Sequence, residues 1–286
     1  MSTLVKHPFH IFKKALTDQQ CADIIRVGLS KMTLVSSNKG EESIRARTLD
    51  QKQKSESVKE NAVPMADVTY EDLQDSNSKH YVRDSNVSWL NDKWIYDLIH
   101  PFIQKANVEC GWGYQWDYSE QCQFTVYNKK QFYNWHSDGG GDLNAACKPI
   151  REYNKEDGTK GYKELAWNYS ERKPLEDKDG NIIERDAQVK DDGTPLGYAS
   201  TDKNMWGKVR KLSVTINLTN SENYEGGDLK FDLGPHNKDG RYKVSNEARE
   251  RGSIVVFPSH VVHQVTPVTK GTRYSLVIWN VGWPFN

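Results

Sequence analysis

Residues 211–218 read KLSVTINL, and residues 120–128 read EQCQFTVYN. In the first stretch Leu212, Val214, Ile216 and Leu218 alternate with Ser213, Thr215 and Asn217. In the second, Cys122, Phe124 and Val126 alternate with Gln123, Thr125 and Tyr127. Period-two alternation puts each set on its own face of a β-strand. An open sheet would leave the polar face in water, whereas a jelly roll can turn it inward to line a cavity. From residue 111 onward the same texture continues in GGDLKFDL, GSIVVFPS, HQVTPV and RYSLVIWNVGW, which predicts an all-β core over 111–286.

The N-terminal region, 1–110, reads differently. Thr17 with Gln20 forms a capping box before Ile24, Ile25 and Leu29, predicting a helix over 18–30. A second helix is expected over 91–107, with Trp94, Leu98 and Phe102 as its stripe and a kink threatened at Pro101. Between them, the charge-rich text of 36–60 shows no packed face and is expected to be a mobile polar loop. A second polar stretch, 142–208, reads as an insertion between two core strands, expected to cover the cavity and recognise substrate.

The 286 residues suffice to bury a core, and one domain with insertions is the preferred organisation. Lys plus Arg and Asp plus Glu both number 39, so the net charge is zero and no global field draws the chain to nucleic acid or an anionic membrane. No apolar run is long enough to span a bilayer, and the N-terminus lacks an export signal, so a cytoplasmic location is expected. Four scattered cysteines without a C-x-x-C pair are expected to be reduced. The sequence carries no signal of oligomeric state.

The chemistry gathers in QFYNWHSDGGGD, residues 131–142. His136 and Asp138, at i and i+2, share one face of an extended strand, as two ligands of one metal would. Two imidazoles and a carboxylate on one face of an octahedral ion define the facial triad of non-haem Fe(II) oxygenases. For the third ligand, FPSHVVHQVTPVTKGTRYSLVIW (257–279) offers His260 and His263, on opposite strand faces, so at most one looks inward. Arg273 and Ser275 follow on one face; a planar guanidinium beside a hydroxyl is a good carboxylate receptor.

With Tyr127, Tyr133, His136 and Asp138 as Y-x5-Y-x2-H-x-D, followed by RKLSVTINL, YEGGDLKF and the segment from Phe257 to Trp279, the chain resembles the 2-oxoglutarate- and Fe(II)-dependent oxygenases. It is most similar in motif to their prolyl 4-hydroxylase-like branch and its bacterial and phage PKHD-type relatives. The resemblance runs from Trp89 to Trp279, interrupted by the insertion. It implies a double-stranded β-helix, or jelly roll, backed by N-terminal helices. It implies iron on His136, Asp138 and His263, and the distal carboxylate of 2-oxoglutarate on Arg273 with Tyr127 and Ser275. The implied reaction couples decarboxylation of 2-oxoglutarate by O2 to hydroxylation of an unactivated C–H, with ascorbate supporting activity. Asp138 favours hydroxylation, since related halogenases place chloride where that carboxylate binds. A prolyl residue in a protein or peptide is the first substrate expected, a free amino acid or small metabolite the alternative. Collagen-type enzymes carry lysine where this chain has Arg273, so their substrate range is not inherited. From another class, a non-catalytic metal-binding jelly-roll module with a closed site is the rival.

Overall fold

The computed structural model describes residues 7–39, 45–49, 63–64, 80–140, 143–190, 193–234, 242–244 and 246–284. The chain is mainly β. Among these residues the main sheet runs through His10–Phe12, Ile254–Pro258, Val209–Asn217, Arg273–Gly282, Cys122–Tyr127, His80–Leu90, Phe132–His136, His263–Val265, Leu229–Asp232 and Tyr242–Val244, in that hydrogen-bonded order. Phe132–His136 is antiparallel to both of its neighbours. The alternation read from KLSVTINL and QCQFTVY sorts as expected, with Phe124, Leu212, Val214 and Ile216 fully buried. The polar faces are also shut away from water: Gln123, Thr125, Ser213, Thr215 and Asn217 are all buried. Because a buried hydroxyl or amide needs a partner, this face is knitted together by side-chain bonds such as Gln123 Nε2 to Thr125 Oγ1 at 3.0 Å.

Two expectations for the N-terminal region need correction. The sheet does not begin after residue 110, because His10–Phe12 and His80–Leu90 are both strands of it. His80–Leu90 reads HYVRDSNVSWL, whose inward-facing residues are polar, so it carries no apolar alternation to mark it as a strand. The stretch 36–60 is likewise not one loop. Residues 36–39 complete the first helix, and Arg45–Leu49 pairs with His80–Leu90, while the remainder lies outside the described residues.

The first helix, α1, spans Asp18–Lys39 and starts on the expected capping box. The Thr17 amide donates to Gln20 Oε1 (2.8 Å) and the Gln20 amide to Thr17 Oγ1 (3.2 Å), satisfying two of the amides a helix start leaves open. The second, α2, spans Lys93–Glu109 and continues through Pro101. Its buried stripe is Ile95, Ile99, Ile103 and Ala106, one position on from the expected one, and Trp94 is exposed. Aliphatic side chains fill the tight interior, while the larger rings of Trp94 and Phe102 sit at the margin. No helix among the described residues is long and apolar enough to cross a membrane.

Two compact units emerge. The first holds 1–113, 121–138 and 213–278; the second holds 114–120, 139–212 and 279–286. The second therefore contains the whole insertion, built on a four-stranded sheet ordered Glu184–Asp186, Lys160–Leu165, Lys148–Asn154, Ala199–Ser200. Inside it Arg210 grips Glu120 with two nitrogens (2.6 and 2.7 Å) and lies 4.0 Å over the Trp279 ring. Trp279 is thus a packing residue of this unit. The four cysteines are free thiols.

Helix α1 approaches the sheet through Gly28. A Cβ there would lie 2.3 Å from the Phe124 ring, and Ser88 Oγ donates to the Gly28 carbonyl at 2.9 Å. Gly28→Ala should therefore destabilise the fold despite alanine's helix propensity, because overpacking costs about 1–3 kcal/mol against about 1 kcal/mol gained. A denaturant midpoint lower than wild type checks this; an unchanged or higher midpoint contradicts it.

Candidate metal centre

His136 closes the strand Phe132–His136, and His263 opens the strand His263–Val265. The two are register partners across the antiparallel ladder. Two residues past His136 the chain has left the strand, and the Asp138 amide donates to the Ser259 carbonyl at 2.9 Å, turning the carboxylate back toward the imidazoles. His136 Nε2 lies 3.7 Å from Asp138 Oδ1, and His263 Nε2 lies 3.7 Å from Asp138 Oδ2. One ligand atom from each residue falls within 4.8 Å of the others.

The tautomers follow from the backbone. His136 Nδ1 is 2.7 Å from the Asn134 carbonyl and His263 Nδ1 is 2.9 Å from the Val261 carbonyl. A carbonyl can only accept, so each Nδ1 carries a proton, and Nε2 is the nitrogen left facing Asp138 and open to a metal. Burial pushes the His136 imidazole down to about 3, reinforced by the neighbouring His263 and opposed by Asp138. Two imidazole nitrogens and a carboxylate oxygen converging at this range form a cluster of donor atoms that a cation can fill. The donor set, two imidazole nitrogens and a carboxylate, suits Fe(II) or a similar divalent ion.

The walls hold these ligands still. Phe257 meets the His263 ring edge-on at 4.7 Å, and Tyr133 stacks on His136 at 3.5 Å, its plane within 9°. Tyr133, the second tyrosine of the Y-x5-Y-x2-H-x-D motif, thus braces the imidazole of His136. His260 is exposed and lies outside the cluster.

The expected co-substrate residues lie on neighbouring strands. Arg273 and Tyr127 are register partners, as are Ser275 and Thr125. The Arg273 guanidinium sits 5.6 Å from the Tyr127 ring centre. Arg273 is buried, and its Nη1 has no hydrogen-bond partner among the described residues. A buried, uncompensated guanidinium is costly, so its retention points to an anion. Gly227, at φ +62°, leaves it room: a Cβ there would come within 3.0 Å of Arg273 Cδ. Gly226 and Gly227 lead into the strand Leu229–Asp232, with the Gly227 amide on the Pro267 carbonyl at 3.0 Å.

Residues 191–281 match the family model of the 2OG-Fe(II) oxygenase superfamily. That stretch contains His263, Arg273 and Ser275; His136 and Asp138 lie before it. PKHD-type hydroxylases of Alteromonas mediterranea and Maricaulis maris are 43% identical over 68 residues and 38% identical over 88. These alignments cover 24% and 31% of this chain, and only 27% and 37% of the relatives' lengths. Among solved structures, the viral collagen prolyl hydroxylase of Paramecium bursaria Chlorella virus-1 aligns over 98% of this chain and 99% of its own, with TM-score 0.47 and 12% identity. A Pseudomonas putida prolyl-4-hydroxylase aligns over 97% and 94%, with TM-score 0.47 and 14% identity. The likeness to 2-oxoglutarate- and Fe(II)-dependent oxygenases carried by the sequence motifs is met again in the family model and in the PKHD-type relatives.

Two outcomes are expected. His136→Ala, Asp138→Ala and His263→Ala should each strip divalent-metal affinity, while His260→Ala leaves it intact; metal titration of the four variants decides, and loss in His260→Ala alone contradicts the assignment. The second concerns acid. A folded-state imidazole held near 3 instead of the ordinary 6.5 stays neutral where the unfolded chain takes up a proton. Its contribution is therefore complete above about pH 6.5 and lost as pH falls toward 3, about 2 kcal/mol by pH 5. Metal-free protein should lose stability between pH 7 and 5 more steeply than metal-free His136→Asn. Equal slopes in denaturant unfolding would contradict this.

Proposed function

We propose that this chain is an Fe(II)- and 2-oxoglutarate-dependent dioxygenase that hydroxylates an unactivated C–H bond, built on a double-stranded β-helix (jelly roll) core. The observation that carries the reading is one juxtaposition in one unit. Two backbone-tethered imidazoles and a carboxylate converge, while on a nearby strand a buried guanidinium with an unpartnered nitrogen faces a tyrosine across the ladder. An ion site and an anion site in one buried wall suit a chelating keto acid with a second carboxylate.

In this reading His136, Asp138 and His263 hold the iron, which when bound supplies oxidative decarboxylation of 2-oxoglutarate and delivery of an oxygen atom from O2. The residues of the chain bind and orient. Arg273 takes the distal carboxylate through its planar fork, with Tyr127 packed against it and Ser275 on the same strand face. The Asn134 and Val261 carbonyls keep both imidazoles in the ligating tautomer. The aromatic rings of Phe257 and Tyr133 exclude water from the flanks of the imidazoles. A prolyl residue of a protein or peptide is the first substrate proposed and a free amino acid or small metabolite the second, with ascorbate supporting turnover and no nucleic-acid partner.

The test is succinate formation on supplying Fe(II), ascorbate and 2-oxoglutarate first without O2 and then in air. O2-dependent succinate is expected, and its absence from metal-loaded protein overturns the reading. Arg273→Lys keeps the charge but loses the fork. The apparent affinity for 2-oxoglutarate should fall on the order of ten- to a hundredfold while the metal stays bound. An unchanged KM for 2-oxoglutarate would sink the role given to Arg273.

A further inference from the structure

A second guanidinium belongs to the same buried polar face. Arg83 lies on the strand His80–Leu90, between the strand that carries Tyr127 and the strand that carries His136. It is 8% exposed and is the register partner of Tyr133. Its Nε donates to Ser85 Oγ at 2.8 Å and its Nη1 to Gln123 Oε1 at 3.2 Å, both neutral acceptors. Its guanidinium lies 4.8 Å over the Tyr133 ring, the ring that stacks on His136. Its Nη2 is buried with no hydrogen-bond partner among the described residues. Asp84, the adjacent carboxylate, projects to the opposite strand face, where Gln131 Nε2 donates to it at 3.1 Å.

On the functional reading above, the charges of the site can be counted. A divalent ion, the Asp138 carboxylate, the Arg273 guanidinium and the two carboxylates of 2-oxoglutarate neutralise one another completely. Arg83 is left over. A lone buried cation is expensive, and Ser85 with Gln123 occupy two of its nitrogens while leaving the third without a partner among the described residues. A merely structural strut under Tyr133 has no need of that third nitrogen. A receptor does, since two tethers fix the plane of the fork before the ligand arrives.

We propose that Arg83 is the receptor for a carboxylate on the primary substrate. The C–H to be hydroxylated is then held within a few bonds of a negative charge, which comes from a free amino acid or from an acidic residue of a peptide. The proposal rests on the functional reading, and its test keeps the two apart.

The protein is loaded with Mn(II), which is redox-silent here and paramagnetic, and saturated with 2-oxoglutarate. Proton relaxation of propionate and of its neutral isostere propionamide is then titrated. Propionate should show saturable relaxation by the site ion and propionamide none. Arg83→Gln should weaken propionate about tenfold or more, and Arg83→Lys should restore part, while affinities for Mn(II) and 2-oxoglutarate stay within about threefold of wild type. L-Proline and acetyl-Glu-Pro-amide, titrated in the same way, separate the two sources of the carboxylate by which one is relaxed more strongly. Propionamide relaxed as strongly as propionate, no saturable propionate effect in the wild type, or an undiminished effect in Arg83→Gln overturns the proposal. So does a tenfold fall in 2-oxoglutarate affinity in Arg83→Gln, which would give both guanidiniums to the co-substrate. Wild-type protein that binds neither Mn(II) nor 2-oxoglutarate would overturn the functional reading and this proposal with it.

Discussion

The ladder contact between the end of Phe132–His136 and the start of His263–Val265 is the constraint on which the site depends. It sets His136 opposite His263 and, through the Asp138 amide on the Ser259 carbonyl, brings the carboxylate between them. A slip of one residue would reverse the face of every side chain on one strand and separate the imidazoles. The register is therefore held from both sides, by Leu229–Asp232 beyond His263 and by His80–Leu90 beyond Phe132. Buried aromatics on these strands, Phe132 and Phe231, give each pairing a hydrophobic reason to stay in place.

Around that contact the interior is unusual in its charge. Where most cores are apolar, this one buries two guanidiniums and holds one of its imidazoles neutral, while the carboxylate between them is nearly inaccessible. Among these groups the two Nδ1 atoms lean on backbone carbonyls, and each arginine keeps a buried nitrogen with no hydrogen-bond partner among the described residues. Such a face is poor as a source of stability and well suited to charged ligands, because low polarity strengthens every contact made there.

Which parts of this were legible in the sequence follows from how far each signal reaches along the chain. QCQFTVY and KLSVTINL announce strands because alternation is local, and Thr17 with Gln20 announces a helix start for the same reason. His136 with Asp138 is a local signal too. His263 became readable through its spacing from Arg273 and the resemblance that spacing carries. Arg83 did not, because a strand whose inward face is polar resembles a loop in one dimension. The α2 stripe missed by one position because Trp94 and Phe102 outweigh isoleucines in a count of bulk, whereas burial selected Ile95, Ile99 and Ile103. Where α1 would end was hidden as well, since residues 31–39 have no strong apolar face and are helical all the same.

The pairing of His136 with His263 joins positions 127 apart in the chain (263 minus 136), with the whole insertion between them. Closing so long a loop is entropically slow and brings no reward until the flanking strands are already docked. The three ligands are therefore expected to come together only late in folding, so that a metal ion is not the nucleus around which the chain condenses. Its effect falls on the reverse step: an ion bound by all three residues must be released before the ladder opens, so loading lengthens the lifetime of the folded state and leaves the rate of reaching it unchanged.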